Sequence, residues 1–140
     1  MKVIAWLILA TALPDELANH FGEWLSDNLG RPYVWGAAGH KSYDCSGFVW
    51  RMLNDNGVFV KRTTARNLYM ATEPTADRSF GTLVFFDDLK HVGILNDNRS
   101  FFHASSSHGT MQAPLSPYWS GKIVGFRRLP LVVRSPSELF

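Results

Sequence analysis

Residues 81–105 read GTLVFFDDLKHVGILNDNRSFFHAS, and this stretch decides the fold. Three short runs rich in Val, Ile, Leu and Phe follow one another: Thr82–Phe86, His91–Leu95 and Ser100–Ala104. Runs of this kind, bounded by turn residues, read as strands. Asn96-Asp97-Asn98-Arg99 is a hairpin turn, because Asn and Asp side chains bond to their own backbone and tolerate turn conformations. Downstream, Thr110–Ala113 and Ile123–Leu129 add two more strands, for about five in all.

Upstream the period changes. Leu17, Phe21, Trp24, Leu25 and Leu29 recur at three- and four-residue steps, which predicts a helix over 15–29 with one apolar face. Pro14-Asp15 starts it and Gly30 stops it. A second helix is predicted over 45–56, burying Phe48, Val49, Met52 and Leu53 and ending at Gly57. Asp44 or Ser46 caps its start. Thr63-Thr64 introduce a short helix near 65–71, and residues 72–80 form a polar connection. Between the first two helices, residues 30–43 (GRPYVWGAAGHKSY) form a loop with three glycines. Helices first and consecutive strands after them is the α+β pattern, with helices packed on a central antiparallel sheet.

The chain has 140 residues, 46% apolar and 19% charged, which suits one folded domain over 14–130. Ten Phe, five Trp and four Tyr supply large buried areas. A net charge of +2, with no Lys/Arg block, argues against nucleic acid as a partner. Residues 131–140 read as a surface tail.

Residues 1–13 carry one Lys, an apolar run from Val3 to Leu13 broken by Thr11, and Ala10-Thr11-Ala12. This is either a short secretory signal or an N-terminal helix that packs on the domain or anchors it to a partner. At that length the run does not span a bilayer, which takes about 20 residues. No Cys follows it, so a lipoprotein anchor is not expected.

Cys45 is the only cysteine. It falls at the predicted first turn of a helix, where the partial positive charge favours a thiolate. Ser46 and Gly47 are small and leave room for a substrate. A cysteine nucleophile requires a histidine base. Of five histidines, His20 lies on the first helix, His40 in the glycine loop and His108 in a Ser-rich turn. His91 and His103 lie on neighbouring strands, where cross-strand side chains meet. One can act on Cys45 while the other orients it. The competing use, zinc, lacks a tight Cys/His pair, so no metal or cofactor is expected.

Taken together, these residues resemble the NlpC-type cell-wall peptidases, small papain-like enzymes. The matching text is Gly30-Arg31-Pro32-Tyr33-Val34-Trp35-Gly36, Asp44-Cys45-Ser46-Gly47-Phe48-Val49, Gly81-Thr82-Leu83-Val84-Phe85-Phe86, His91-Val92-Gly93-Ile94, Phe102-His103-Ala104, Pro117-Tyr118-Trp119 and Val124-Gly125-Phe126-Arg127-Arg128. The resemblance implies a papain-like fold with the nucleophile at a helix N-terminus. It implies Cys45 as nucleophile, His91 as base and His103 as its orienter. Tyr33 would help bind the oxyanion, and Asp44 and Ser46 would hold the free amine of the substrate. Trp35 is expected to pack the glycine loop. Where the family often has Asp, this chain has Thr82, a position read as structural.

The reaction so implied is hydrolysis of an amide in the peptidoglycan stem peptide, between γ-D-glutamate and the diamino acid, by a monomer in the periplasm or outside the cell. Two other readings stay open. One is an amidase or acyltransferase on the same fold. The other is a non-enzymatic part of a phage tail or secretion assembly.

Overall fold

The computed structural model describes residues 5–6, 13–131 and 133–134. Its order is β1 (Ala5–Trp6), α1 (Asp15–Asp27), α2 (Cys45–Asp55), α3 (Ala65–Ala71), β2 (Leu83–Phe86), β3 (His91–Leu95), β4 (Ser100–Ser105), β5 (Gly109–Pro114), α4 (Pro117–Ser120), β6 (Ile123–Arg127) and β7 (Val133–Arg134). The three expected helices and five expected strands all form. The short helix α4 is additional; Pro117 at its start carries the fixed φ that suits a first helical turn.

Five strands make one antiparallel sheet in the order β5-β4-β3-β2-β6. Strands β2 to β5 meander, as their short turns require. After α4 the chain returns to the far edge, where β6 pairs with β2 through Val84↔Phe126 and Leu83↔Arg127. The apolar runs lack polar alternation because both faces of the sheet are covered. Phe85 and Phe86 are consecutive, point to opposite faces and are both 0% exposed. Leu83, Phe85, Val92, Ile94, Phe102 and Ala104 pack against Phe21, Phe48, Met52 and other residues of the helices. On the other face Val84, Phe86, Leu95, Phe101 and Ala113 form a second cluster with Trp119, Ile123 and Phe126. Each fully buried Phe is worth about 1.5–3 kcal/mol over leaving it in water.

Leu29 departs from the expected apolar face. Helix α1 ends at Asp27, and Leu29 is 37% exposed. The cause is Asn28, which is buried. Its side-chain amide donates to Trp24 O at 2.9 Å, and its Oδ1 accepts from the buried Tyr43 hydroxyl at 2.7 Å. That pair ties the end of α1 to the glycine loop. At the chain ends, β1 and β7 pair antiparallel through Ala5↔Arg134 and Trp6↔Val133. Within the 1–13 segment, Ala5–Trp6 is therefore extended. The remaining readings for 1–12 and for the tail beyond 134 lie outside the described residues. Among the described residues no helix is long and apolar enough to cross a membrane.

Candidate active site

Asp44 builds the start of α2. Its Oδ1 accepts from the Gly47 amide at 2.7 Å, and its backbone is extended, as at an N-cap. Its Oδ2 accepts from the Gly36 amide at 3.0 Å, and its own amide donates to Ala37 O at 2.8 Å. The glycine loop thus lies directly on the first turn of α2. A Cβ on Gly47 would collide with the Ala37 carbonyl. Ser46 is likewise buried. The small size of Gly47 thus makes room for this loop.

Cys45 is 8% exposed, and its Sγ donates to Lys90 O at 3.6 Å. The thiol therefore sits against the residue immediately before His91. Burial pushes its pKa up, and the nearby Asp44 charge adds to this. The amides of Val92, Ser46 and Cys45 itself pull the other way and do not prevail. Desolvation thus works against the acidification expected of a thiol at a helix start.

His91 and His103 meet as cross-strand neighbours. Strands β3 and β4 pair through Ile94↔Phe102 and Leu95↔Phe101. Carried one step on, that register sets His103 opposite Gly93, two residues from His91 and on the same face. The His91 Nε2 and His103 Nδ1 atoms are 2.8 Å apart. Burial lowers the His91 pKa to about 4, with Asp87 opposing the shift and Lys122 adding to it. It lowers that of His103 to about 3, with His91 and His108 adding to the effect. Both rings are neutral at pH 7.

A cleft of about 970 Å3 opens on this face, lined by Tyr33, Lys90, His91, His103, His108, Trp119 and neighbouring residues. The turn leading into His91 is unusual: Asp87, Asp88 and Leu89 all have left-handed backbones (φ 52°, 55° and 66°). Burial first, then the charges of Cys45 and Asp44, hold the Tyr33 phenol above its ordinary pKa, and Tyr33 lines the same cleft as His91. Asp44 and Ser46 flank Cys45, but their polar groups are engaged within the fold. Arg62 donates to Asp44 Oδ1 and Oδ2 at 2.9 and 3.0 Å and to Ser46 Oγ at 2.9 Å.

Sequence reasoning missed Arg62 and Trp119. Arg62 stands 18 residues from Asp44 with no local pattern joining them, and Trp119 is visible only as part of the family text. Trp35 is corrected: it is 86% exposed and does not pack the loop. Of the other histidines, His40 bonds Asp55 at 2.7 Å and His20 lies 4.0 Å from Glu16, while His108 joins the cleft. Among the described residues no group of three or more His, Cys, Asp or Glu stands ready to hold a metal ion.

Comparison with known proteins agrees with this architecture. The profile of the NlpC/P60 family matches residues 30–128. The chain is 35% identical over 104 residues to "Probable peptidoglycan endopeptidase LytE" of Bacillus subtilis, covering 71% of this chain and 31% of that protein. It is 34% identical over 117 residues to "Probable endopeptidase NlpC" of Escherichia coli, covering 75% and 76%. Among solved structures, a lipoprotein-like NLP/P60 family protein of Staphylococcus aureus superposes with a TM-score of 0.75 at 29% identity, covering 84% of this chain and 43% of that one. The peptidoglycan hydrolase RipB of Mycobacterium tuberculosis shares the fold, with a TM-score of 0.66 at 20% identity over 90% and 72% of the two chains. The α+β fold is the papain-like one of these neighbours, and with the match running from the loop before Cys45 to the end of the sheet, this chain belongs to the NlpC/P60 family.

Proposed function

We propose that the protein is a cysteine peptidase of the bacterial envelope that hydrolyses an amide bond in the peptidoglycan stem peptide, between γ-D-glutamate and the diamino acid. One observation carries the reading: the buried Cys45 thiol bonds to the carbonyl of Lys90, and the next residue, His91, is hydrogen-bonded to His103. The names of the matched relatives supply the substrate class.

In this reading thiol and imidazole rest uncharged. His91 takes the thiol proton as Sγ attacks the carbonyl carbon. The oxyanion is met by the Cys45 amide and the Tyr33 hydroxyl. The C–N bond breaks, the imidazolium gives its proton to the departing amine, and a thioester remains on Cys45. Water, deprotonated by His91, then cleaves the C–S bond and restores the thiol. The acceptor capacity of Asp44 is taken up by Gly36, Gly47 and Arg62. Asp44 and Ser46 accordingly serve as the wall behind the thiol, and a substrate amine approaching them competes with Arg62.

The test is digestion of purified muropeptides, with products read by mass. Cleavage within the stem exposes a new amine and a new carboxyl, and Cys45→Ala abolishes it. Unchanged turnover by Cys45→Ala would sink the proposal. Release of an intact stem, or transfer of an acyl group to a second amine, would assign the site to an amidase or acyltransferase instead.

A further inference from the structure

We infer that Trp119 is a positioning residue for the histidine pair, holding the His91 ring in plane and stabilising its cationic form as the thiol proton arrives. The inference rests on the reading of Cys45 and His91 as nucleophile and base. Three observations carry it. The Trp119 indole is stacked on His91, with ring centroids 5.5 Å apart and planes at 23°. It also meets His103 edge-on, at 5.0 Å and 78°. Finally, Nε2 of His103 is buried and finds no hydrogen-bond partner among the described residues. Phe101 lies closer to parallel with that ring, at 4.5 Å and 33°, while the Trp119 plane stands nearly perpendicular to it. Aromatic faces offer nothing to a nitrogen lone pair, but they accept an N–H weakly. Such surroundings favour the tautomer with the proton on His103 Nε2. His103 Nδ1 is then the acceptor, His91 Nε2–H the donor, and His91 Nδ1 is left free for the thiol.

Helix α4 is fastened so that Trp119 keeps this place. Lys122 forms an ion pair with Asp87 at 3.3 Å and donates to the Tyr118 hydroxyl at 3.0 Å. The Asp87 amide donates to Lys122 O at 3.2 Å, and the Lys122 amide donates to Trp119 O at 2.9 Å. The turn that leads into His91 and the helix that carries Trp119 are therefore one unit. Trp119 also packs on Phe86 and Phe101, at 5.0 and 5.5 Å. The charged and titratable groups that bear on the pair are Asp87, Lys122 and His108.

The experiment is alkylation of Cys45 by iodoacetamide across pH 5–10, in the wild type and in Trp119→Leu, Trp119→Phe and His91→Ala. The probe is small and does not depend on binding a muropeptide. The wild type should show a neutral-pH component that His91→Ala lacks. In Trp119→Leu that component should fall roughly 3- to 30-fold, the range a lost cation–π contact implies. The alkaline rate, where the thiolate forms unaided, should stay unchanged and reports an intact fold. Trp119→Phe keeps a weaker π face and the apolar packing, and should fall between the two. Should the leucine variant not fold, the phenylalanine variant alone decides: a neutral-pH rate equal to wild type overturns the inference. A Trp119→Leu profile identical to wild type, beside an altered His91→Ala profile, overturns the role of Trp119 and leaves the Cys45–His91 reading standing. An unaltered His91→Ala profile overturns both.

Discussion

The Nε2 atom of His91 and the Nδ1 atom of His103 lie 2.8 Å apart, across neighbouring strands of one sheet. With Nε2 so engaged, the base we propose for Cys45 has only Nδ1 of His91 left for the thiol. The partner on His103 must then be an acceptor. An Asn side chain can place an oxygen there, whereas Ala cannot. His103→Ala should lower kcat on muropeptides by about 100-fold or more, as loss of the group that sets a catalytic tautomer does. His103→Asn should recover part of that loss. Equal activity of the two variants would show that His103 acts by bulk and not by its bond to His91.

Burial also fixes the pH behaviour. The His91 ring is neutral above about pH 4, so with His91 as the proposed base the acid limb of kcat/KM should fall near pH 4–5. A limb near 6.5 would mean a solvated ring. Stability follows the same groups. Unfolded, both histidines titrate near 6.5; folded, they do so at about 4 and about 3. Between those values the unfolded chain binds more protons, so stability is full above 6.5 and declines as pH falls toward 4. His91 alone accounts for about 3 kcal/mol of that decline. Urea midpoints at pH 7 and pH 4.5 should differ clearly in the wild type and much less in a His91→Gln, His103→Gln double variant.

Arg62 neutralises a carboxylate that is mostly buried; the Asp44 side chain is 10% exposed. Removing only the cation leaves Asp44 with its backbone donors and no counter-charge. Arg62→Met should cost about 2–3 kcal/mol, between the values for exposed and buried pairs. It should also loosen the start of α2. Equilibrium denaturation gives the first effect, and faster Cys45 alkylation at fixed pH gives the second.

Two glycines give opposite expectations. Gly47→Ala forces the glycine loop off α2, because the new Cβ meets the Ala37 carbonyl and lies 2.9 Å from Asp44 Oδ1. A loss of about 2–3 kcal/mol is expected, as for an overpacked core. Gly22 lies within α1 and has open space where its Cβ would stand. Gly22→Ala should stabilise by about 0.5–1 kcal/mol. Thermal unfolding of both variants checks the pair.

Much of the fold is legible because its elements carry local signals. The three- and four-residue spacing that buries Phe21, Trp24 and Leu25 marks α1, and the apolar runs with turn residues mark β2 to β5. Leu29 is misplaced because the end of α1 depends on Asn28 finding Tyr43, a contact 15 residues away. The far-edge position of β6 is likewise invisible, since only the path around α4 brings Val84 to Phe126.

The sequence by itself determined the chemistry available: one cysteine after a capping Asp44 at a helix start, and two histidines on adjacent strands. Those are local facts, readable from period and spacing. Only the tertiary structure decided how that chemistry is poised. Alternation along β3 turns Val92 and Ile94 toward the helices that carry Cys45, and turns His91 toward the cleft with His103 and Trp119. Packing on both faces removes water from thiol and imidazoles alike, raising the one pKa and lowering the others. Desolvation depends on what lies beyond the neighbouring residues in sequence, so the helix start that promised a thiolate holds a buried thiol against the Lys90 carbonyl.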